Sequence, residues 1–248
     1  MEMLTVPREG LSSEAYFSVS GWPHAELFAD TIFVWEALKR LQKYLQGILT
    51  GQGALVQKAS ILTDSVIVGS VFIGEGTVVE PGAYIAGPTY IGNHCEIRHN
   101  AYIRGNVLIG DGCVVGNSSE LKNAILFDYA AAPHFAYIGD SILGRHVNLG
   151  AGTRLSNLPI VSEKNLSNQR PTIRIPHGGG FVDAGLTKLG AILGDGVQTG
   201  CNSVLNPGCL VGPGSWIYPN VSLPKGVYAP NVVIKMRQQL EIVPKDQR

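Results

Sequence analysis

The sequence predicts an all-β solenoid, a parallel β-helix built from hexapeptide repeats, and three observations carry that prediction. An apolar residue recurs at every sixth position from Leu55 through Ile61, Ile67 and Ile73 to Val115, Leu121 and Phe127. The residue four places after each is small or β-branched, running from Ala59, Ser65, Val71 and Thr77 to Cys113, Ser119, Ile125 and Ala131. Gly, Asp, Glu and Asn crowd the places between. A helix repeats at 3.6 residues and a flat strand at 2, so neither yields a period of six over this length. A fixed period with glycine at corners is the signature of a coiled strand array.

The geometry follows from the period. Each hexad is one short strand and one corner, and three strands close a triangular coil of eighteen residues. Coils stack at the strand spacing of ~4.8 Å. Residues eighteen apart in sequence therefore become neighbours in space, so side chains scattered along the chain can gather on one edge.

The elements follow in order. Residues 1–54 carry no six-residue period and are expected to form an arm and a helix. Asp30 or Thr31 suits the helix cap. Trp35, Leu38, Leu41, Leu45 and Ile48 form one apolar stripe, and Gly51 and Gly53 stop the helix. The β-helix spans 55–230. Near His134 its register slips, because the anchors after Phe127 become Pro133, Ile138, Leu143, Leu149 and Leu155, with two steps of five. A register change in a strict solenoid marks a loop, a bulge or a site. From 157 to 190 the repeat is lost in a long excursion, with an alternating run Thr172–Ile175 and a triple glycine that suit a loop or hairpin. An excursion of this length is expected to be functional. The period returns at Leu193, Thr199, Leu205, Val211, Ile217 and Leu223, and residues 231–248 are expected to cap the open end as a strand or short helix.

Composition narrows the function. The 248 residues carry a formal net charge of +0, which gives no electrostatic case for nucleic acid or an anionic membrane surface. No apolar run is long enough to span a bilayer, and the first residues show no basic-then-apolar leader. Three of the four cysteines, Cys95, Cys113 and Cys209, fall on the small inward position, as core packing in a reducing cytoplasm requires.

Two constellations carry chemistry. Arg104 and Lys122 are eighteen apart and project side by side from successive coils. Cations that close repel, and a shared phosphate relieves them. His134 lies at the register slip, twelve residues past Lys122, with Tyr137, Asn148 and Asn157 following and Glu120 near enough to orient the imidazole. That is a setting for a general base.

At this point a resemblance becomes specific. The runs GNSSELKNAIL and PHFAYIGDSILGRHVNLGAGTRLSN resemble the acetyltransferase half of the bifunctional glucosamine-1-phosphate acetyltransferase / N-acetylglucosamine-1-phosphate uridylyltransferases. They are also similar to archaeal sugar-1-phosphate nucleotidyltransferases that acetylate amino-sugar phosphates. The Glu-Leu-Lys-Asn, His-x-x-Tyr-x-Gly-Asp and Asn-Leu-Gly-Ala-Gly-Thr motifs all stand without gaps, with Arg104 upstream. The match covers roughly 60–225. The first 54 residues hold no glycine-rich nucleotide loop, and FVWEALKRLQKYL looks like the helix that links the two halves.

The resemblance implies a left-handed coil and a set of roles. His134 is the base for the sugar's 2-amino group and Glu120 holds it. Arg104 and Lys122 bind the phosphate. Tyr137, Asn148 and Asn157 hold the sugar, and Lys188 returns a cation from the excursion. Ala151 and Cys201 line the acetyl-CoA channel. It further implies a homotrimer with acetyl-CoA as co-substrate between neighbours, no metal, a cytoplasmic setting, and a nucleotidyltransferase that acts as a separate partner. Two other readings exist. One is a zinc hydratase of the same fold, for which His94 and His99 have the spacing of two ligands but no third histidine lies upstream. The other is a non-catalytic or regulatory solenoid. The reading adopted is acetyl-CoA-dependent N-acetylation of an amino-sugar 1-phosphate, with glucosamine-1-phosphate the leading substrate, feeding UDP-N-acetylglucosamine synthesis.

Overall fold

A strand of two or three residues cannot hold a sheet by itself; each one here lies parallel on the strand one coil below it. The computed structural model describes residues 10–49, 55–56, 59–61, 64–160, 164 and 168–242. Among them the chain forms a left-handed parallel β-helix. One face is a sheet of nine parallel strands, one per coil, from Ser60–Ile61 to Val233–Ile234. The other two faces share strands, because Glu120–Leu126 and Tyr137–Leu143 run through a corner without a break. Taking the coil of His134, the first face carries Ala131–His134, the second begins at Tyr137, and the third ends at Leu143.

The lumen holds the residues the period points inward. Ile73, Ile91, Ile109, Leu126, Leu143, Leu193 and Val211 form one buried row, with Val71, Thr89, Val107, Ala124 and Ala191 as the small partners. Cys95, Cys113 and Cys209 are buried free thiols in the small positions, as the pattern requires.

The register differs from the sequence reading at one place. Ile109 pairs with Leu126 and Val107 with Ala124, so the first five-residue step lies between Leu121 and Leu126, two hexads before the expected step from Pro133 to Ile138. Leu126, Ala124, Ala130 and Ala132 therefore face inward, where Phe127, Ile125, Ala131 and Pro133 were expected. The second short step, Ile138 to Leu143, is where the sequence puts it. Both short steps fall on the corner between the second and third faces. Asn123 and Asp140 turn there in the left-handed backbone region, at φ 49° and 47°, which short polar side chains tolerate by bonding locally.

Turned outward, Phe127 becomes an anchor. Trp22 stacks on it at 3.9 Å between centroids and Phe17 at 4.7 Å, while Trp22 Nε1 donates to Asp128 Oδ1 at 3.1 Å. The arm is thus clamped to the solenoid. The third face shows why an arm is needed. Its outward residues are Phe72, Tyr90, Leu108, Ile125, Ile142, Ile192, Leu210 and Val227, stacked in register through eight coils. An apolar column of that length demands cover. The arm supplies Phe28, Trp35, Leu38, Leu41 and Leu45, and the excursion supplies Ile173, Ile175, Val182 and Leu189.

The helix runs Glu36–Ile48, later than its expected cap at Asp30 or Thr31. Glu36 itself reaches back, accepting from Ile32 N–H at 2.8 Å and Phe33 N–H at 3.3 Å, so the first-turn carboxylate fixes the chain that leads into the helix. Trp35, Leu38, Leu41 and Leu45 are buried, and Ile48 at the stripe's end is exposed. Gly51, Gly53 and residues 1–9 lie outside the described residues.

The excursion contains an antiparallel hairpin, Arg174–His177 with Gly180–Asp183. Gly178 and Gly179 occupy its turn at φ 58° and 76°, the pair of positive angles that a two-residue hairpin turn requires. At the far end the β-helix continues to Ile234, past the expected boundary at 230. Residues 235–242 form no regular element, and 243–248 lie outside the described residues.

His24 ties the arm to both helix and solenoid. Its Nδ1 is 2.8 Å from the Tyr44 hydroxyl and its ring packs edge-on to Tyr90 at 4.6 Å. Burial pushes this imidazole down to about 4, against the opposing pull of Asp128 and Asp111. The unfolded chain takes up the proton near the ordinary 6.5. Stability is therefore full above pH 6.5 and falls as pH drops toward 4, by up to about 3 kcal/mol. Urea midpoints should be lower at pH 5 than at pH 7.5, and His24→Gln should flatten that difference; an unchanged slope would remove His24 as its source.

Candidate active site

The corner between the first and second faces stacks a single column. Ser118 N–H donates to His99 O, Phe135 N–H to Asn117 O, Gly152 N–H to His134 O, Asn202 N–H to Ala151 O and Asn220 N–H to Cys201 O. His99, Asn117, His134, Ala151 and Cys201 thus occupy the same place on consecutive coils. Three of the expected residues meet here, with Ala151 and then Cys201 directly above the imidazole. His134 and Cys201 are both exposed. Gly116 makes this approach possible, because a Cβ there would fall 1.6 Å from Pro133 O. Asn117, the residue under His134, escaped the sequence reading, since its significance depends on the seventeen-residue coil that pairs it with His134.

Across the second face, at its other edge, lie the cations. Arg104 N–H donates to Leu121 O at 2.9 Å, which sets Arg104 beside Lys122 on successive coils. Both line one cavity of about 460 Å³, together with Asn106, Asn123, Asp140 and the helix residues Leu38, Lys39 and Gln42. The expected bare pair of cations is not what is found. Arg104 is bound to Glu120 at 2.7 Å, and Lys122 sits 3.9 Å from Asp140.

Glu120 is accordingly engaged by Arg104, and among the described contacts none joins it to His134. The cause is register: Glu120 lies over Tyr102 and under Tyr137, two strand positions from Arg104, whereas Asn117 is the residue beneath His134.

Along that second edge a polar ladder fixes the floor. Asn106 donates to Asn123 Oδ1, Asn123 Nδ2 to Asp140 Oδ1 at 2.6 Å, and Asn157 Nδ2 to Asp140 Oδ2 at 2.5 Å. A carboxylate only accepts. Asp140 therefore turns both neighbouring amides nitrogen-first toward itself. Asn157 must then point its oxygen outward, and that oxygen accepts from the Tyr137 hydroxyl at 3.3 Å. At the other end, Asn106 must give its NH₂ to Asn123, which leaves its buried Oδ1 without a partner. Gly139 leaves the room, since a Cβ there would lie 2.7 Å from both Asn157 Nδ2 and Tyr137 OH. Burial pushes the Tyr137 phenol up, with Glu120 and Asp140 adding and Arg104 opposing, so it stays a neutral donor. Asp140 was not among the expected site residues; its partners stand seventeen apart, and an eighteen-residue rule passes them by.

The remaining expected residues sit at the rim. Asn148 stacks over Ala131 on the first face, around the corner from Tyr137. Lys188 is exposed, one residue before Leu189, whose N–H donates to Asn157 O at 3.1 Å. Among the described residues no three His, Cys, Asp or Glu side chains converge as a metal set, and no helix is long and apolar enough to cross a membrane.

Comparison with known proteins agrees with the motifs. Residues 85–206 match the family model described as the GMPPB C-terminal domain. The chain is 34% identical over 211 residues to the bifunctional protein GlmU of Methanococcus maripaludis, covering 85% of this chain and 48% of that protein. It is 35% identical over 108 residues to the bifunctional sugar-1-phosphate nucleotidylyltransferase/acetyltransferase of Sulfurisphaera tokodaii, covering 44% of this chain and 25% of that one. The solved structure of the Francisella novicida UDP-N-acetylglucosamine acyltransferase is similar with a TM-score of 0.44 and 17% identity, over 73% of this chain and 60% of that one. The chain spans about half the length, or less, of the curated relatives it matches.

Removal of Asp140 tests the ladder independently of any activity. Asp140→Ala strips the acceptor from two amides and the partner from Lys122, and should cost about 3 kcal/mol in chemical denaturation. A loss under about 0.5 kcal/mol would show that water replaces the carboxylate.

Proposed function

From this resemblance and the geometry beneath it, we propose that the protein is an acetyl-CoA-dependent N-acetyltransferase acting on an amino-sugar 1-phosphate, with glucosamine-1-phosphate as the leading substrate. The observation that carries the reading is the second face itself. An exposed imidazole stands at one edge, a cation-lined cavity at the other, and an oriented tyrosine–asparagine pair between them. Successive strand residues rise about 3.3 Å, so the face is a few residues wide, the scale of one hexose.

The chemistry follows from the placement. The phosphate rests at Arg104 and Lys122, and the sugar lies over Tyr137 and Asn157. This presents the 2-amino group to His134, whose imidazole takes a proton as the nitrogen attacks the thioester carbon. The C–S bond breaks as the new C–N bond holds, and the proton passes to the departing thiolate. Acetyl-CoA reaches this point along the corner column past Cys201 and Ala151, where backbone amides face the thioester; donors aimed at a forming oxyanion are a large term in acyl transfer. Asn148, on the adjoining face, and Lys188 complete the rim, and Glu120 acts through Arg104, which it holds at 2.7 Å.

A homotrimer fits the surface. The third face is shut by the arm and hairpin, whereas the first two keep exposed aromatics, among them Tyr84, Tyr102, Phe135, Trp216 and Tyr218. Two open faces flanking His134 are what a ring of three solenoids needs. A cytoplasmic setting accords with the free thiols, and a separate nucleotidyltransferase would consume the acetylated product.

A thiol-release assay with acetyl-CoA and a panel of amino-sugar phosphates tests this reading. Wild type should turn over with at least one of them, and His134→Ala should lose about a hundred- to ten-thousand-fold. Equal rates in the two proteins would take His134 out of the reaction. Arg104→Ala and Lys122→Ala should weaken sugar-phosphate binding and leave acetyl-CoA binding intact; unaltered sugar affinity would move the phosphate elsewhere.

A further inference from the structure

The cavity at the Arg104–Lys122 corner is not made by the solenoid alone. One wall is the arm helix, which contributes Leu38, Lys39 and Gln42. The excursion reaches it as well: a Cβ on Gly185 would lie 3.0 Å from Lys39 Nζ, so that ammonium stands where helix, corner and excursion meet.

Charge makes the helix consequential. On the solenoid side each cation is already matched, Arg104 by Glu120 and Lys122 by Asp140. That rim is electrically neutral as it stands. Lys39 is the cavity's third lining cation, and among the described residues it has no carboxylate partner. An anion entering here competes with Glu120 and Asp140 for those two cations, whereas the Lys39 ammonium faces no such competitor.

We propose that the arm helix is part of the substrate site: Lys39 is the third phosphate-binding cation of this cavity, and Gln42 lies beside it. This rests on the reading that the Arg104–Lys122 corner receives the sugar phosphate. It assigns recognition of the phosphate to an element outside the repeat, so that the ligand bridges the arm to the coils.

Calorimetric titration of the full chain tests it, with glucosamine-1-phosphate, inorganic phosphate and acetyl-CoA as probes. Lys39→Ala places the best helix former on an exposed helix position and keeps the fold, which far-UV dichroism confirms. It should weaken both phosphate probes about ten-fold or more and leave acetyl-CoA binding unchanged. Lys39→Glu should abolish phosphate binding and Lys39→Arg should restore it. Lys43→Ala, on the same helix but lining a different groove with Glu26 and Tyr44, should bind as wild type. If Lys39→Ala binds like wild type while Arg104→Ala does not, the helix is no part of the site and the proposed function stands without it. If Lys39-dependent phosphate binding appears but no amino sugar is acetylated, the inference holds for phosphate esters and the acetylation reading falls. If wild type binds neither phosphate probe, both fall together.

Discussion

The vertical register of the coils is the constraint on which everything else depends. Each strand is too short to persist alone, and its backbone groups are satisfied only by the strands above and below. Once the coils lie in step, every column becomes a ruled line: inward columns pack the lumen, the outward column of the third face builds an apolar wall, and the corner columns set polar side chains in series. The site is a product of that ruling. His134, Ala151 and Cys201 align because the corners align, and Asn106, Asn123, Asp140 and Asn157 can hand hydrogen bonds along a line because each occupies the same turn.

Asp140 shows how one choice propagates through such a line. A carboxylate in the middle of three amides removes the freedom of each to flip. It sends the Asn157 oxygen to Tyr137 and leaves the buried Asn106 oxygen without a partner. An asparagine at 140 would leave the series with no fixed direction. The buried acid therefore acts as an orienter of two ligand-facing groups while touching neither Tyr137 nor the imidazole.

Much of this was legible beforehand, for a definite reason: a strict period converts sequence distance into spatial adjacency. The β-helix, the pairing of Arg104 with Lys122 and the buried cysteines all follow from reading in sixes and eighteens, while the loop or hairpin in the excursion rested on its alternating run and triple glycine. What escaped was what the period does not state. A short step can fall in more than one hexad when each offers an apolar anchor, and Leu126 beside Phe127 is such a case; the arm, which takes Phe127 as its docking point, decides between them. The cover over the third face did leave a trace, since Phe72, Tyr90 and Leu108 are apolar at a position where the other two faces carry mostly polar or mixed residues. Read every eighteen residues instead of every six, that trace points to the arm.

The closure of the third face has a consequence for traffic. With one side of the prism sealed by the chain's own arm and hairpin, two approaches to His134 are left, and they run at right angles. A long thin molecule can descend the corner from the upper coils, while a compact charged one slides across the second face from the helix side. Neither has to cross the other's path, so donor and acceptor could be loaded in either order, and the spent carrier could withdraw upward while the product still sat in its cavity.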